Sequence, residues 1–424
     1  MQLSRLFGRR LRENAGQTEA ASHDLLIRAG WIRQHAAGIY SLLTPGLKSL
    51  RRIERIMREE MERIGAHEIF MPFVQSAAVW KSSGRHASVD ATLVRFRDRR
   101  GQDMVLAMTH EEIVAQLAAS EIRSYRDVDV MVYQIQTKFR DEARARGGLL
   151  RTREFLMKDA YSLHLDRTGL EQAYNAQAGA YARIFRRAGL EEVQRVRSAS
   201  GDMGGDMAHE FMMPLAVGDD TFASCRSCGE AANLEVVASS EHCARCGGAL
   251  TLVRAVEVGN IFQLGTRYGE ALGAYATDAH GRRLPVVMGS YGIGVSRLLA
   301  TLVERHHDAA GIALPAAVTA FDVHVIPIGP AECGRAQQLH DALGSAGLDV
   351  LLEDRDVRTG EAFADADLMG ATLRIVLGGR TGEAGRAEIR ERRTGAIHSV
   401  AEAEIVAASI RVVEQVRQRE RAQP

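Results

Sequence analysis

Phe139-Arg140-Asp141-Glu142, a basic loop, and then Arg151-Thr152-Arg153-Glu154-Phe155 form the stretch that decides this fold. Its flanks, 130–139 and 153–159, read as two antiparallel strands around the loop. Much further along, Gly289-Ser-Tyr-Gly-Ile-Gly-Val-Ser-Arg297 opens an apolar run in which a helix is expected over 294–306. A guanidinium is always charged and meets phosphate bidentately. Two fixed guanidiniums, Arg140 and Arg297, and the aromatic face of Phe155 are what a triphosphate site needs outside a glycine-rich phosphate loop. Gly292 and Gly294 allow close backbone approach. Each arginine alone has a second reading. Arg140 pairs with Asp141 or Glu142 of its own segment, and Arg297 is a surface cation on a helix. Taken together with Phe155, the nucleotide reading is the stronger.

The chain has 424 residues, enough for two or three domains. It is 46% hydrophobic and 25% charged, as soluble globular proteins are. Lys and Arg number 54 and so do Asp and Glu, so global charge gives no argument for a nucleic-acid partner. Local basic patches exist. Residues 1–60 hold 11 Lys and Arg against 6 Asp and Glu; an ordinary solvated face is the alternative there. Lys138, Arg140, Arg144, Arg146, Arg151 and Arg153 share the loop region with Asp141, Glu142 and Glu154. No stretch approaches the ~18 apolar residues of a membrane span, and the first residues lack the apolar core of a secretion signal. Five cysteines, four of them in CxxC pairs, suit a reducing cytosol, so a cytoplasmic location is expected.

Working outward, 46–64 reads as an amphipathic helix, with Leu47, Leu50, Ile53, Ile56, Met57 and Met61 at helical spacing. Residues 67–74 read as a strand carrying Pro72, hence an edge or interface strand. A strand is expected over 104–108, then a helix over 109–118 with Glu111 and Glu112 in its first turn. A long helix is expected over 171–188, and strands over 256–264 and 283–288. After a boundary near 314–320 the pattern alternates: strand 322–328, helix 335–346, strand 349–353, helix 362–370, strand 373–377, then a helix over 400–418. The fold class expected is α+β for 1–315, followed by a small α/β domain over 320–424.

Cys225-Arg-Ser-Cys228-Gly and Cys243-Ala-Arg-Cys246-Gly stand 14 residues apart. Each CxxCG knuckle presents two thiolates, and two knuckles complete a tetrahedral S₄ site for structural zinc. Four buried free thiols are the alternative. His242 is not needed as a ligand, and Cys333, alone, reads as a core residue.

Several of these segments closely resemble bacterial-type prolyl-tRNA synthetases, members of class II. They are LLIRAGWIRQHAAGIYSLLTPGLKSL, MTHEE, FRDE with RTREFLMKDAYSLH, EVGNIFQLGTRYGEALGA and MGSYGIGVSR, in order over nearly the whole chain. LLEDRDVRTGEAFADADLMGATLRIVLGGR resembles the anticodon-binding domain of the same enzymes. The resemblance implies an antiparallel class II sheet flanked by helices over 1–315 and an anticodon-binding domain over 320–424. It implies activation of proline with ATP and Mg²⁺, transfer to tRNA(Pro), and a homodimer built on 65–72. Arg140 would contact the α-phosphate and the substrate carboxylate. Glu142, Arg151 and Phe155 would hold the nucleotide, Arg297 would contact the γ-phosphate, and Glu257 would lie near ATP and magnesium. Thr109 and Glu111 would hold the proline nitrogen, and His209 would line that pocket. Asp354, Arg355 and Arg358 are anticodon candidates. The family's large editing insertion is missing; in its place stands a short cysteine-rich segment, 218–252.

The chain also departs from the family. Ala107-Met108 stands where Gly-Pro is usual, Ser290 where Cys is usual, and Asn260 where His is usual. The loop after Glu142 has Ala145, Gly147 and Gly148 instead of proline and phenylalanine, and SGRHASVDATLVR is unusual. Two rival readings follow: a paralogue passing prolyl-adenylate to another acceptor, and a non-catalytic tRNA-binding regulatory module.

Overall fold

The computed structural model describes residues 1–13, 19–89, 91–237, 241–378 and 385–422. Parts of the expected segments 1–315, 218–252 and 320–424 therefore lie outside the described residues, namely 14–18, 90, 238–240, 379–384 and 423–424.

The first body is built on one large sheet. Its elements are α1 (Thr44–Arg63), β1 (Ala66–Glu68), α2 (Glu111–Glu121), β2 (Val130–Phe139), β3 (Glu154–His164), α3 (Arg167–Ala188), β4 (Met207–Pro214), β5 (Leu250–Gly265), β6 (Val287–Gly294) and α4 (Val295–Arg305). Strands β5, β6, β3 and β2 run antiparallel in that order, and β1 joins β2 in parallel at the outer edge. On the other side of β5 lie the short strands Asp220–Cys225, Ala231–Asn233 and Gln194–Ser198. They lead to β4, which pairs back onto β5.

Helices α1, α3 and α4 cover one face of this sheet. Ile53, Ile56 and Met57 of α1, Tyr181, Ile184 and Phe185 of α3, and Leu298 and Leu299 of α4 are buried there against Tyr291 and Ile293 of β6. Each such side chain contributes about 1.5–3 kcal/mol of burial. Asp166 caps α3 by accepting a hydrogen bond from the Gly169 N–H at 2.8 Å, and Gly189 at φ 99° ends it. The opposite face carries a second cluster, with Trp80, Val105, Ile113 and Tyr268 at its centre.

The second body is a five-stranded sheet. It contains β7 (Val323–Pro327), α5 (Cys333–Ser345), β8 (Val350–Leu352), α6 (Thr359–Met369), β9 (Leu373–Leu377), β10 (Arg386–Glu391), β11 (Ile397–Ala401) and α7 (Ile405–Ala422). The strands are ordered β8-β7-β9-β10-β11; the first three are parallel and the last two form an antiparallel hairpin.

The structure corrects several expectations. The strand expected over 67–74 is two strands in different sheets: β1, and Val74–Ser76 paired with Asp103–Leu106. Pro72, which has no donor for a ladder, lies between them. The strand expected over 283–288 is also two strands, Arg283–Pro285 and β6, and β6 runs on through Gly294 to the start of α4 at Val295. Residue 400 lies in β11, so the last helix starts five residues later than expected. Cys333 is exposed at the start of α5, not buried in a core. Arg140 follows the last residue of β2.

Candidate active site

The floor of the site is the face of the sheet away from α3. Side chains alternate along β6. Tyr291 and Ile293 enter the helix-covered core, leaving Ser290, Gly292 and Gly294 on the other face. A Cβ at Gly292 would stand 3.0 Å from the Asn260 Oδ1, so only glycine leaves this floor flat.

Arg140 is placed where the chain leaves β2. Its backbone N–H donates to the Arg153 carbonyl at 2.8 Å, which closes the base of the loop. The guanidinium donates weakly to the Met108 carbonyl through Nε and Nη2, both at 3.4 Å. It also lies 5.3 Å from the centre of the Phe155 ring. Burial lowers the Arg140 pKa, the Glu257 carboxylate opposes that shift, and Arg297 adds to it. Arg297, in the first turn of α4, donates from Nε to the Leu150 carbonyl at 2.8 Å. Its Nη1 donates to the Glu257 carbonyl at 3.1 Å and reaches Glu257 Oε2 at 3.3 Å. Arg140, Phe155, Gly292, Glu257 and Arg297 line one cavity. A wider cleft of about 630 Å³ adjoins it and shares Glu142, Arg151, Glu257 and Arg297. Arg151 links Glu142, at 3.0 Å, to Asp219, at 3.2 Å, and Arg146 also pairs with Asp219. The basic loop is thereby fastened to the segment leading into the cysteine knuckles.

On the other side of Met108 lies a buried carboxylate site. Thr109 Oγ1 donates to Glu111 Oε2 at 2.5 Å, and Ser290 Oγ donates to Glu111 Oε1 at 2.8 Å. Arg85, 1% exposed, bridges Glu111 at 3.3 Å and Glu112 at 3.2 Å. Its guanidinium packs against Trp80 at 4.9 Å and Tyr268 at 5.8 Å. Glu111 is fully buried, and these three donors hold it in place. Beneath, Asp159 forms an ion pair with Lys138 at 2.8 Å and accepts from Tyr161 and Gln134, each at 2.9 Å.

His209 is not brought to this site. It stands opposite Ile261 in the β4–β5 register, and directly opposed residues share a face. Ile261 is buried in the helix-covered core, and His209 Nδ1 meets the Tyr174 hydroxyl of α3 at 2.6 Å. Burial, then Arg195 and Arg197, depress its pKa to about 4. Its neighbour Glu210 pairs with Asn260 and takes the site face instead. Burial, then Glu257 and Asp220, push the Glu210 carboxyl up to about 8, while Asn233 donates to it at 2.8 Å. Strict alternation along a strand is the signal by which the sequence offers Glu210 once His209 is assigned to the opposite face. Arg85 carries no comparable sequence signal.

The four knuckle cysteines converge. Their sulfurs all lie within 4.8 Å of one another, with Cys225–Cys246 at 3.5 Å and Cys228–Cys243 at 3.7 Å. The two turns repeat each other: Gly229 N–H donates to the Cys225 carbonyl at 2.9 Å, and Gly247 N–H to the Cys243 carbonyl at 2.8 Å. Of the anticodon candidates, Asp354 accepts from the Ser4 backbone N–H at 2.8 Å, and Arg355 is held by Glu353 and by Asp365 at 2.8 Å. Arg358 is exposed at the start of α6, with no side-chain partner among the described residues.

Comparison with known proteins agrees with this geometry. Residues 94–306 match the tRNA synthetase class II core domain (G, H, P, S and T), and residues 322–411 match an anticodon binding domain. Antiparallel floor, paired arginines and appended α/β body define a class II aminoacyl-tRNA synthetase. A proline--tRNA ligase of Caulobacter sp. (strain K31) is 40% identical over 435 residues, covering 96% of this chain and 98% of that one. A proline--tRNA ligase of Salinispora tropica is 35% identical, covering 98% of this chain and 97% of the relative. That alignment spans 577 positions, more than the 424 residues of this chain, so the relative carries a long segment with no counterpart here. The chain belongs to the proline--tRNA ligase family, in the form that lacks the large editing insertion. A prolyl-tRNA synthetase from Cryptosporidium parvum, solved with halofuginone and AMPPNP, shares the fold at a TM-score of 0.78 and 17% identity, over 96% of this chain and 80% of that one.

Proposed function

We propose that this chain activates proline with ATP and passes the prolyl group to tRNA(Pro), using the nucleotide cavity and the buried carboxylate site beyond Met108. The observation that carries this reading is the Arg140 guanidinium, which contacts the carbonyl before Thr109 on one side and the Phe155 ring on the other. The proline carboxylate attacks the α-phosphorus, pyrophosphate leaves, and the terminal ribose hydroxyl of tRNA then attacks the acyl carbon and releases AMP. Little proton transfer is needed in the first step, so positioning and charge neutralisation carry the rate. Arg140 spans the carboxylate and the α-phosphate. Arg297 takes the γ-phosphate, Phe155 stacks on the base, and Glu142 and Arg151 hold the nucleotide side. Glu111, already oriented by Thr109, Ser290 and Arg85, receives the secondary ammonium of proline, whose two N–H donors suit a carboxylate.

Burial and then Glu257 raise the pKa of both Glu210 and Asp220, and these carboxylates would offer oxygen ligands to Mg²⁺ at the phosphate end. When bound, the ion would neutralise phosphate charge. The knuckle cysteines fit zinc. A tetrahedron with Zn–S near 2.3 Å has edges of about 3.8 Å, close to the two sulfur separations. Zinc there has a structural role, and its thiolate ligands suit the cytoplasm. Among the described residues no helix is long and apolar enough to cross a membrane. A second copy would dock on the β1 edge, where Phe70 is 81% exposed. Arg358 is the anticodon candidate free to meet RNA.

ATP–pyrophosphate exchange with all twenty amino acids, run beside charging of tRNA(Pro), tests the assignment. Proline-dependent exchange with charging is expected. Exchange without charging would favour the paralogue acting on another acceptor, and no exchange would favour a binding module.

A further inference from the structure

Away from the nucleotide cleft, a cavity of about 230 Å³ lies where the two bodies meet. Its walls include the guanidiniums of Arg374, Arg390, Arg392 and Arg393, the ring of His324 and the turn at Thr394. Asp308, on the two-residue strand His307–Asp308 of the first body, completes the rim. The cavity sits at the amino-terminal ends of the parallel strands β7 and β9. Residues 354–358 follow the carboxyl end of β8 and do not line this cavity, although Arg355 lies near enough to His324 to add to the lowering of its pKa by burial.

Three of the four guanidiniums are charge-balanced. Arg374 pairs with Asp367 at 3.0 Å, Arg392 with Asp308 at 2.6 Å, and Arg393 with Glu420 at 2.6 Å. Arg390, exposed on the cavity wall, has no polar side-chain partner among the described residues, so its charge is free to meet a ligand. Two buried groups on its wall are also unsatisfied. The His324 ring is completely buried with neither nitrogen hydrogen-bonded, and the Arg374 Nε is buried without an acceptor. Burying such groups unpaired is unfavourable, and native proteins leave few of them without a ligand, ion or water. Most of the unmet needs are donors: the arginine groups only donate, and a neutral imidazole has one N–H to give and one nitrogen that accepts. A polyanionic oxygen ligand satisfies the donors together, and convergent guanidiniums match phosphate geometry.

We propose that this junction cavity binds a phosphate group, held by Arg390 and Arg374 with His324 at its base. The chemistry is the same for free phosphate and for a phosphodiester of the tRNA backbone, and two arms of one experiment separate these sources. The tRNA arm rests on the tRNA-charging reading above; the free-phosphate arm does not.

The probe in the first arm is inorganic phosphate, added to the full chain with its nucleotide cleft filled by AMPPNP and proline. Thermal stabilisation by phosphate is measured for the parent chain, for Arg390→Gln and for Arg297→Ala. Arg390 has no polar partner to lose, so its replacement leaves folding intact. The expected result is saturable stabilisation that persists in Arg297→Ala and weakens about tenfold in Arg390→Gln, the loss of one charge-assisted contact. In the second arm, tRNA(Pro) binding is followed against salt. A phosphodiester ligand predicts that Arg390→Gln lowers the salt slope by about one, whereas a free-phosphate site leaves that slope unchanged. Either signature supports the site. Phosphate stabilisation that is absent, or that vanishes with Arg297→Ala and survives Arg390→Gln, together with an unchanged salt slope, overturns it.

Discussion

Two side chains divide the chemistry at the residue scale. Among the described residues the Arg140 guanidinium is held only by a carbonyl at 3.4 Å and a ring face, so its charge remains available to a substrate. Glu111 is the reverse: both oxygens are occupied by Thr109, Ser290 and Arg85. Replacing Arg140 by alanine removes a positioned charge from the developing transition state. It should lower ATP–pyrophosphate exchange by about 10²–10³-fold with little change in melting temperature; a loss of stability equal to the loss of rate would point to a structural arginine instead. Ser290→Ala removes one donor from Glu111 without touching the nucleotide. Its expected signature is a KM for proline raised about tenfold, worth ~1.4 kcal/mol, with KM for ATP unchanged. A parallel rise in both constants would mean that the whole floor has shifted.

The strands around the site were largely legible at the scale of elements, because β2 and β3 bracket the basic loop with clear apolar flanks. The misreadings have physical causes. The segment 289–294 is rich in glycine and alternates Ser290, Gly292 and Gly294 with Tyr291 and Ile293, a period of two that its proximity to α4 hides. No glycine or proline separates β11 from α7, only the short turn Glu402–Glu404, so strand and helix merge in the sequence. His209 and Glu210 differ only in strand parity, which a register settles and a motif does not. The cysteine knuckles were legible because their spacing alone fixes the chemistry, and they yield an element-level prediction. Gly229 sits at φ 74° with open space where a Cβ would go, so Gly229→Ala strains only the backbone, by ~1–2 kcal/mol. It should loosen zinc without emptying the site, whereas Cys243→Ser should release the metal and lower the melting temperature. Metal content measured on both variants checks this order, and full zinc in the serine variant would refute the S₄ site.

Stability at the scale of the whole molecule is tied to protons buried in both bodies. Burial is the leading cause that depresses His110, His209 and His306 to about 4 and His324 to about 3. These rings are neutral in the fold and protonated in the unfolded chain below its own pKa near 6.5, so the unfolded state binds more protons in that window. Their contribution is complete above about pH 6.5 and is lost as the pH falls towards 4. Glu210, raised to about 8, acts in the opposite direction together with the raised Glu112 and Asp220, while His23 and His86, also lowered by burial, act with the four rings. The urea midpoint should therefore fall between pH 7 and pH 5, and an unchanged midpoint would contradict the burial of these rings.

A buried ionic strut joins the two bodies, beside an apolar cluster in which Leu351, Leu368 and Met369 of the second body pack with the core of the first. Arg52 of α1 donates from both terminal nitrogens to Asp322, at 3.0 Å each, and Nη2 also reaches Asp349 at 2.6 Å; Arg417 of α7 adds a further contact to Asp322 at 2.7 Å. Asp322 is 2% exposed, so a missing partner is replaced poorly by water. Breaking a buried pair by removing one member costs about 3–5 kcal/mol, because the remaining charge stays desolvated. Arg417 retains part of the compensation in this case, so Arg52→Ala should cost about 3 kcal/mol, the low end of that range. The loss falls on the polar part of the junction and leaves the shared apolar cluster in place, so its form matters more than its size. The parent chain should melt as one cooperative unit, and Arg52→Ala should separate the two bodies into two calorimetric transitions, the second body melting first. Proline-dependent exchange, which needs only the first body, should survive in the variant, while charging of tRNA(Pro), which needs both bodies held in register, should fall. A single unchanged transition, or equal loss of exchange and charging, would show that Arg52 is not what couples them.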